Sequence, residues 1–121
     1  MSREVILFGA STLGKIALEY LQEIDKSYEV IAFCDNDQRK WGTEFCHVPV
    51  ISPEKLKGNS CQTIITSQYD ITIIKQLFGL GIYRFSVFFH GQGQDSVSND
   101  SYQIREYDYH GVDLHRVDNR I

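Results

Sequence analysis

The turn Gly9-Ala10-Ser11-Thr12-Leu13-Gly14 constrains this chain most, because of what stands on either side of it. Before it, Glu4–Phe8 (EVILF) is a largely apolar run that suits a strand buried on both faces. After it, Leu13, Ile16, Ala17, Tyr20, Leu21 and Ile24 recur at spacings of three and four, which gathers them on one helical face. Ser11 or Thr12 stands where an N-cap belongs. A second β-rich run, Tyr28–Cys34 (YEVIAFC), follows and stops at Asp35-Asn36-Asp37. Strand, helix and buried strand in this order predict a βαβ unit with parallel strands and a right-handed crossover.

The alternation continues. Val48–Ile51 reads as a short strand, and Ser52-Pro53-Glu54 starts a short helix expected to run to Gly58. Thr63–Thr66 is another buried run. Ile71, Ile74, Leu77 and Phe78 mark a helix beginning after Asp70 and ending at Gly79–Gly81, and Phe85–Phe89 closes the series. Five strands alternating with helices predict an α/β fold with a doubly wound parallel sheet in the order 3-2-1-4-5. At His90 the apolar runs thin out. His90–Ser101 reads as turn and linker, so the chain divides into a core over 1–89 and a polar tail over 90–121. The tail still carries Tyr102, Ile104, Tyr107, Tyr109, Val112, Leu114 and Val117. Tyr102–Tyr109 alternates enough for an added edge strand, and a contact with a second subunit is the other reading.

Composition narrows the class. The 121 residues suit one compact domain, and 42% hydrophobic residues are enough to build its core. A formal charge of −4 argues against a nucleic-acid binder, which needs a basic face. Most of that charge belongs to the tail; residues 1–89 carry a net of only −1. No run approaches the ~20 apolar residues of a membrane span. MSREVILFGA, with Arg3 and Glu4, is expected to be neither signal peptide nor anchor, and three cysteines without an export signal suggest reduced thiols in a cytoplasm.

In such a sheet, ligands sit at the carboxyl ends of the strands beside the point where strand order reverses. The turn Gly9–Gly14 has the register of G-x-G-x-x-G with Ser11 at the middle glycine. Gly9 allows the tight turn, Gly14 allows close helix packing, and the amides of Ala10, Ser11, Thr12 and Leu13 face an anion such as a phosphate. Ser11 holds a pyrophosphate further from the backbone, although its hydroxyl can donate instead. Asp35, with Asn36 beside it, lies 21 residues beyond Gly14, where an acid accepts ribose hydroxyls and repels a 2′-phosphate; NAD is then expected over NADP. Thr66 and Ser67, followed by Gln68, either line the cleft or cap the next helix.

Other chemistry is thinner. Cys34, Cys46, Cys61 and His47 lack any C-x-x-C pair, so no zinc site is expected. Cys46 and His47, read as strand neighbours, would point to opposite faces and could not act as nucleophile and base. His110, His115, Asp108, Asp113 and Asp118 read as a solvated or partner-docked surface. No metal ligands and no catalytic residues are assigned.

The strings VILFGASTLG, VIAFCDNDQRKWG and VPVISPEKL, in that order, resemble the N-terminal Rossmann-like nucleotide-binding domains of bacterial polysaccharide-biosynthesis enzymes. These include the CapD-like nucleotide-sugar 4,6-dehydratases and the PglD-like sugar acyltransferases. The shared features are the glycine turn, a strand ending in Phe33, Asp35 and Asp37 with Gly42 downstream, and the Val48-Pro49-Val50 strand. The resemblance covers about residues 3–89. It implies a nucleotide or nucleotide-sugar ligand (NAD or a UDP-sugar), with Gly9, Ser11, Gly14 and Asp35 on the binding positions. It implies too that catalysis belongs to a second domain, since Tyr20, Tyr28, Tyr69 and Tyr83 have no lysine four residues on.

Three functions stay open at this level. The first is a nucleotide-binding module, homo-oligomeric or attached to a catalytic domain. The second is an NAD-dependent oxidoreductase or dehydratase fragment completed by a partner. The third is an interaction scaffold without a ligand.

Overall fold

The computed structural model describes residues 3–90 and 102–109. Strand β1 (Arg3–Phe8) leads through the glycine turn into helix α1 (Thr12–Glu23), and β2 (Tyr28–Cys34) follows. A single 3-10 turn at Gln38–Lys40 precedes a hairpin of β3 (Glu44–Phe45) and β4 (Val48–Ile51). Then come β5 (Gln62–Ile65), α2 (Asp70–Gly79), β6 (Arg84–His90) and β7 (Tyr102–Asp108). The seven strands form one sheet in the order β3-β4-β2-β1-β5-β6-β7. The five parallel strands, β4-β2-β1-β5-β6, stand in the expected 3-2-1-4-5 order. The two outermost strands are antiparallel additions that raise the expected five to seven.

Both faces of the sheet are covered, which is why β1 is apolar at every position from Val5 to Phe8. Val5 and Leu7 point to one side, against Ala17, Leu18 and Leu21 of α1. Ile6 and Phe8 point to the other, against Leu56 and against Ile73 and Leu77 of α2. β7 adds to both layers. Tyr102 stacks on Phe88 at 5.2 Å, and Tyr107 stacks on Phe85 at 5.9 Å. Its pairing with β6 runs over all seven residues, from Arg84↔Asp108 to His90↔Tyr102.

Three local expectations are corrected. The helix expected from Pro53 to Gly58 is one 3-10 turn, Pro53–Leu56, whose end at Lys57 is followed by the left-handed Gly58. His90, read as the start of the linker, is the last residue of β6. Cys46 and His47 are not on a strand: they hold positive φ (54° and 66°) and form the two-residue turn between β3 and β4. That is the conformation a tight hairpin demands of its central residues. The linker over 91–101 and the tail beyond Tyr109, including His110, Asp113, His115 and Asp118, lie outside the described residues. Among the described residues, no helix is long and apolar enough to cross a membrane, and no cluster of His, Cys, Asp and Glu is placed to hold a metal.

Candidate functional site

The carboxyl ends of β1, β2, β4 and β5 converge on the glycine turn. Gly9 has φ +136°, and a Cβ there would lie 2.5 Å from the Thr66 carbonyl oxygen. A Cβ on Gly14 would lie 2.0 Å from the Gly9 carbonyl oxygen, far inside contact distance. Both glycines are thus required by the close approach of three backbones. The turn is fastened from both sides: the Gly9 amide donates to the Cys34 carbonyl at 2.8 Å, and the buried Thr66 hydroxyl donates to the Gly9 carbonyl at 2.9 Å. Thr66 therefore braces the turn. Ser67 is the residue of that loop that faces the cleft, and its hydroxyl oxygen accepts the Tyr69 amide at 3.1 Å.

Ser11 is the N-cap of α1, is exposed, and makes no side-chain capping bond. Among the described residues, no acceptor reaches the amides of Ser11, Thr12, Leu13 or Gly14; the Lys15 amide is the first bonded back, to the Ser11 carbonyl at 2.9 Å. Four unpaired donors at the positive end of a helix attract an anion. Leu13 contributes only its amide, since its side chain packs against the core. Ala10 is buried, and its amide is already taken.

The acceptor of that amide is Asp35. One carboxylate oxygen accepts the Ala10 amide at 2.8 Å, and the other accepts the Asp37 amide at 2.8 Å. The Lys40 ammonium lies 3.6 Å from the same carboxylate and donates to the Ala10 carbonyl at 2.7 Å. Asp35 thus ties the end of β2 to the glycine turn, and Lys40 lies across both. Asn36 is turned toward α2, where its amide and that of Gln76 bond reciprocally at 3.0 and 2.7 Å. Behind Asp35, the Cys34 thiol is pushed up to about 12, first by burial and then by the neighbouring Asp35 charge.

Two adjoining clefts open at this end of the sheet. One, of 370 Å³, lies at the switch point between β1 and β5 and is lined by Gly9, Ser11, Asp35, Asn36, Ser67 and Tyr69 among others. The other, of 630 Å³, lies between the start of α1 and the β3–β4 hairpin, with Thr12, Lys15, Thr43, Glu44 and Phe45 on its walls. Ser11 and Lys40 line both, so the clefts meet at the unpaired amides. A groove of 690 Å³ lies at the opposite end, where β1 and β6 begin, and its Arg3 and Arg84 are engaged by Gln62 and Glu106. Among the described residues, no helix start lines that groove, so the chemistry favours the smaller pair.

Lys40 is a site residue that sequence reasoning missed. Tyr69, 74% exposed, stands at the mouth of the switch-point cleft. The one available signal for Lys40 was a cation five positions past Asp35; its reach back to Ala10 is tertiary.

Sheet order, glycine turn and cleft position define a Rossmann-like α/β domain. The family model described as C2185-like, N-terminal, matches residues 1–88, and the chain belongs to that family. No curated protein matches it. Among solved structures, the UDP-D-quinovosamine 4-dehydrogenase from Vibrio fischeri is similar, with TM-score 0.60 and 22% identity over 89% of this chain and 95% of that one. RSP, a Rex-family repressor, is similar with TM-score 0.54 and 20% identity over 68% of this chain. Its complex with beta-NAD+ and operator DNA gives TM-score 0.52 and 21% identity. The chain spans 43% and 41% of those two repressor chains. At these identities the likeness is one of fold.

Proposed function

We propose that the chain is a nucleotide-binding module whose ligand spans the two clefts and sets its phosphates on the Ser11–Gly14 amides. The observation that carries this reading is the meeting of two clefts at four unpaired helix-start amides, with Lys40 alongside. A ligand with two organic halves joined through an anionic centre has the matching shape. NAD and nucleotide-sugars are built that way. That a nucleotide-sugar dehydrogenase and an NAD-binding repressor share the fold makes them the first ligands to test. Gly9, Ser11 and Gly14 shape the phosphate cradle, while Asp35 and Thr66 hold it rigid. Asn36, Ser67 and Tyr69 face the half of the ligand in the switch-point cleft. Catalysis falls to another domain or subunit, in keeping with a role in polysaccharide precursor metabolism.

Calorimetry with NAD, ADP, UDP and UDP-sugars tests this reading, with binding expected below the millimolar range, tighter than about −4 kcal/mol. Ser11→Asp sets a carboxylate against the phosphates and should weaken binding by at least about tenfold, or about 1.4 kcal/mol. Absence of binding by all four ligand types would remove the reading. Gly14 variants are no substitute, because any side chain there collides with Gly9 before a ligand is involved.

A further inference from the structure

Asp35 stands where an acid ordinarily reads a ribose diol, yet one acceptor site on each of its oxygens is used and an ammonium stands beside it. Both carboxylate oxygens already accept backbone amides, those of Ala10 and Asp37. Asp35 lines only the switch-point cleft. On the side of the larger cleft, Lys40 stands in front of it: its ammonium is 3.6 Å from the carboxylate and lines both spaces. A ribose entering over the end of β2 therefore meets an ammonium before it meets the acid. Lys40 uses one donor on the Ala10 carbonyl and directs its charge at Asp35 without a short bond, so donor capacity remains. Lys15, one turn into α1, adds a second cation on the same cleft and makes no ion pair among the described residues. The opposing charge on those walls is Glu44. The Thr43 hydroxyl is directed away, donating to the Lys40 carbonyl at 2.6 Å.

Two ammonium groups beside a helix start and against one carboxylate suit a phosphoryl group better than a pair of hydroxyls, which need a free acceptor. We infer that the cleft between the glycine turn and the β3–β4 hairpin takes a nucleotide whose ribose carries an additional phosphate, with Lys40 and Lys15 as the specificity-determining residues. This rests on the nucleotide reading above and reverses the preference for NAD over NADP that the position of Asp35 alone predicts. A 2′- and a 3′-phosphate share the recognition chemistry, and separate probes distinguish them.

The test is calorimetric titration of the intact chain with ADP, 2′,5′-ADP and 3′,5′-ADP, repeated with Lys15→Gln, Lys40→Gln and Glu44→Gln. Thermal melts confirm that each variant folds. One of the two bisphosphates is expected to bind about tenfold more tightly than ADP. Both lysine variants should shrink that ratio, and so should raised salt, while Glu44→Gln leaves or widens it. ADP binding as tightly as both bisphosphates, or losing affinity selectively in Glu44→Gln, would show a diol held by Glu44. That outcome overturns this inference and leaves the nucleotide reading standing. Failure of all three probes, together with NAD and UDP-sugars, would remove both.

Discussion

Gly9 and Gly14 are fixed by distance rather than by ligand. Each would drive a Cβ into backbone, so the motif spacing reports first on how strand, turn and helix close on one another. Cys34, one residue before Asp35, makes a separate prediction. Its thiol is buried and its ionisation is pushed from 9.0 up to about 12. The native chain should therefore leave Cys34 unlabelled by iodoacetamide at pH 8, with labelling only after denaturation. The unfolded thiol ionises from about 9 while the native one holds its proton. Unfolding free energy is thus undiminished below that value and falls as pH rises toward 12, by up to ~1.4 kcal/mol per pH unit. Cys34→Ala should flatten that slope in urea titrations, and an equal slope in both proteins would refute the assignment. At this scale the sequence identified where Asp35 sits but not what it does. One of its oxygens accepts the amide of Ala10, 25 residues away, and the ammonium of Lys40 lies 3.6 Å from the same carboxylate. No local pattern records such a contact.

The elements that could be read in advance are those whose apolar period is complete within themselves. β1, α1, β2 and α2 carry their burial pattern in sequence, because the strands are buried through their carboxyl halves and each helix turns one apolar face to the sheet. The β3–β4 hairpin does not. Its first strand has two residues, and its turn is Cys46-His47 rather than a glycine pair, so neither period nor turn chemistry announces it. Left-handed conformations of residues with side chains cost about 1–2 kcal/mol each, against about 0.5–1 kcal/mol for the extra freedom of an unfolded glycine. His47→Gly should accordingly stabilise the chain by ~0.5–1 kcal/mol, measured as a higher urea midpoint with an unchanged m-value. A lower midpoint would mean that the imidazole makes contacts outweighing the turn strain. Because this hairpin walls the larger cleft, the same variant probes whether hairpin rigidity matters for ligand affinity.

At the scale of the molecule, β7 closes the sheet. Removing residues 91–121 would uncover Phe85 and Phe88, which are 0% and 1% exposed, and break the aromatic stacks with Tyr107 and Tyr102. A lowering of the thermal midpoint by more than ~10 °C is expected, since each kcal/mol is worth ~4–8 °C in a domain of this size. A midpoint unchanged by the truncation would show that β7 contributes nothing to stability. The sequence by itself determined the parallel core: its strand order, its two helices, the glycine turn and the end of the sheet at which the turn lies. These follow from local periodicity and from steric rules that act along the chain. Only the tertiary structure decided that Asp35 is held by Ala10 and covered by Lys40, that Tyr69 stands at the cleft mouth, and that β7 joins the sheet beside β6. Each of these depends on groups far apart in the chain meeting in space, where burial and charge are set by neighbours that no window of sequence contains.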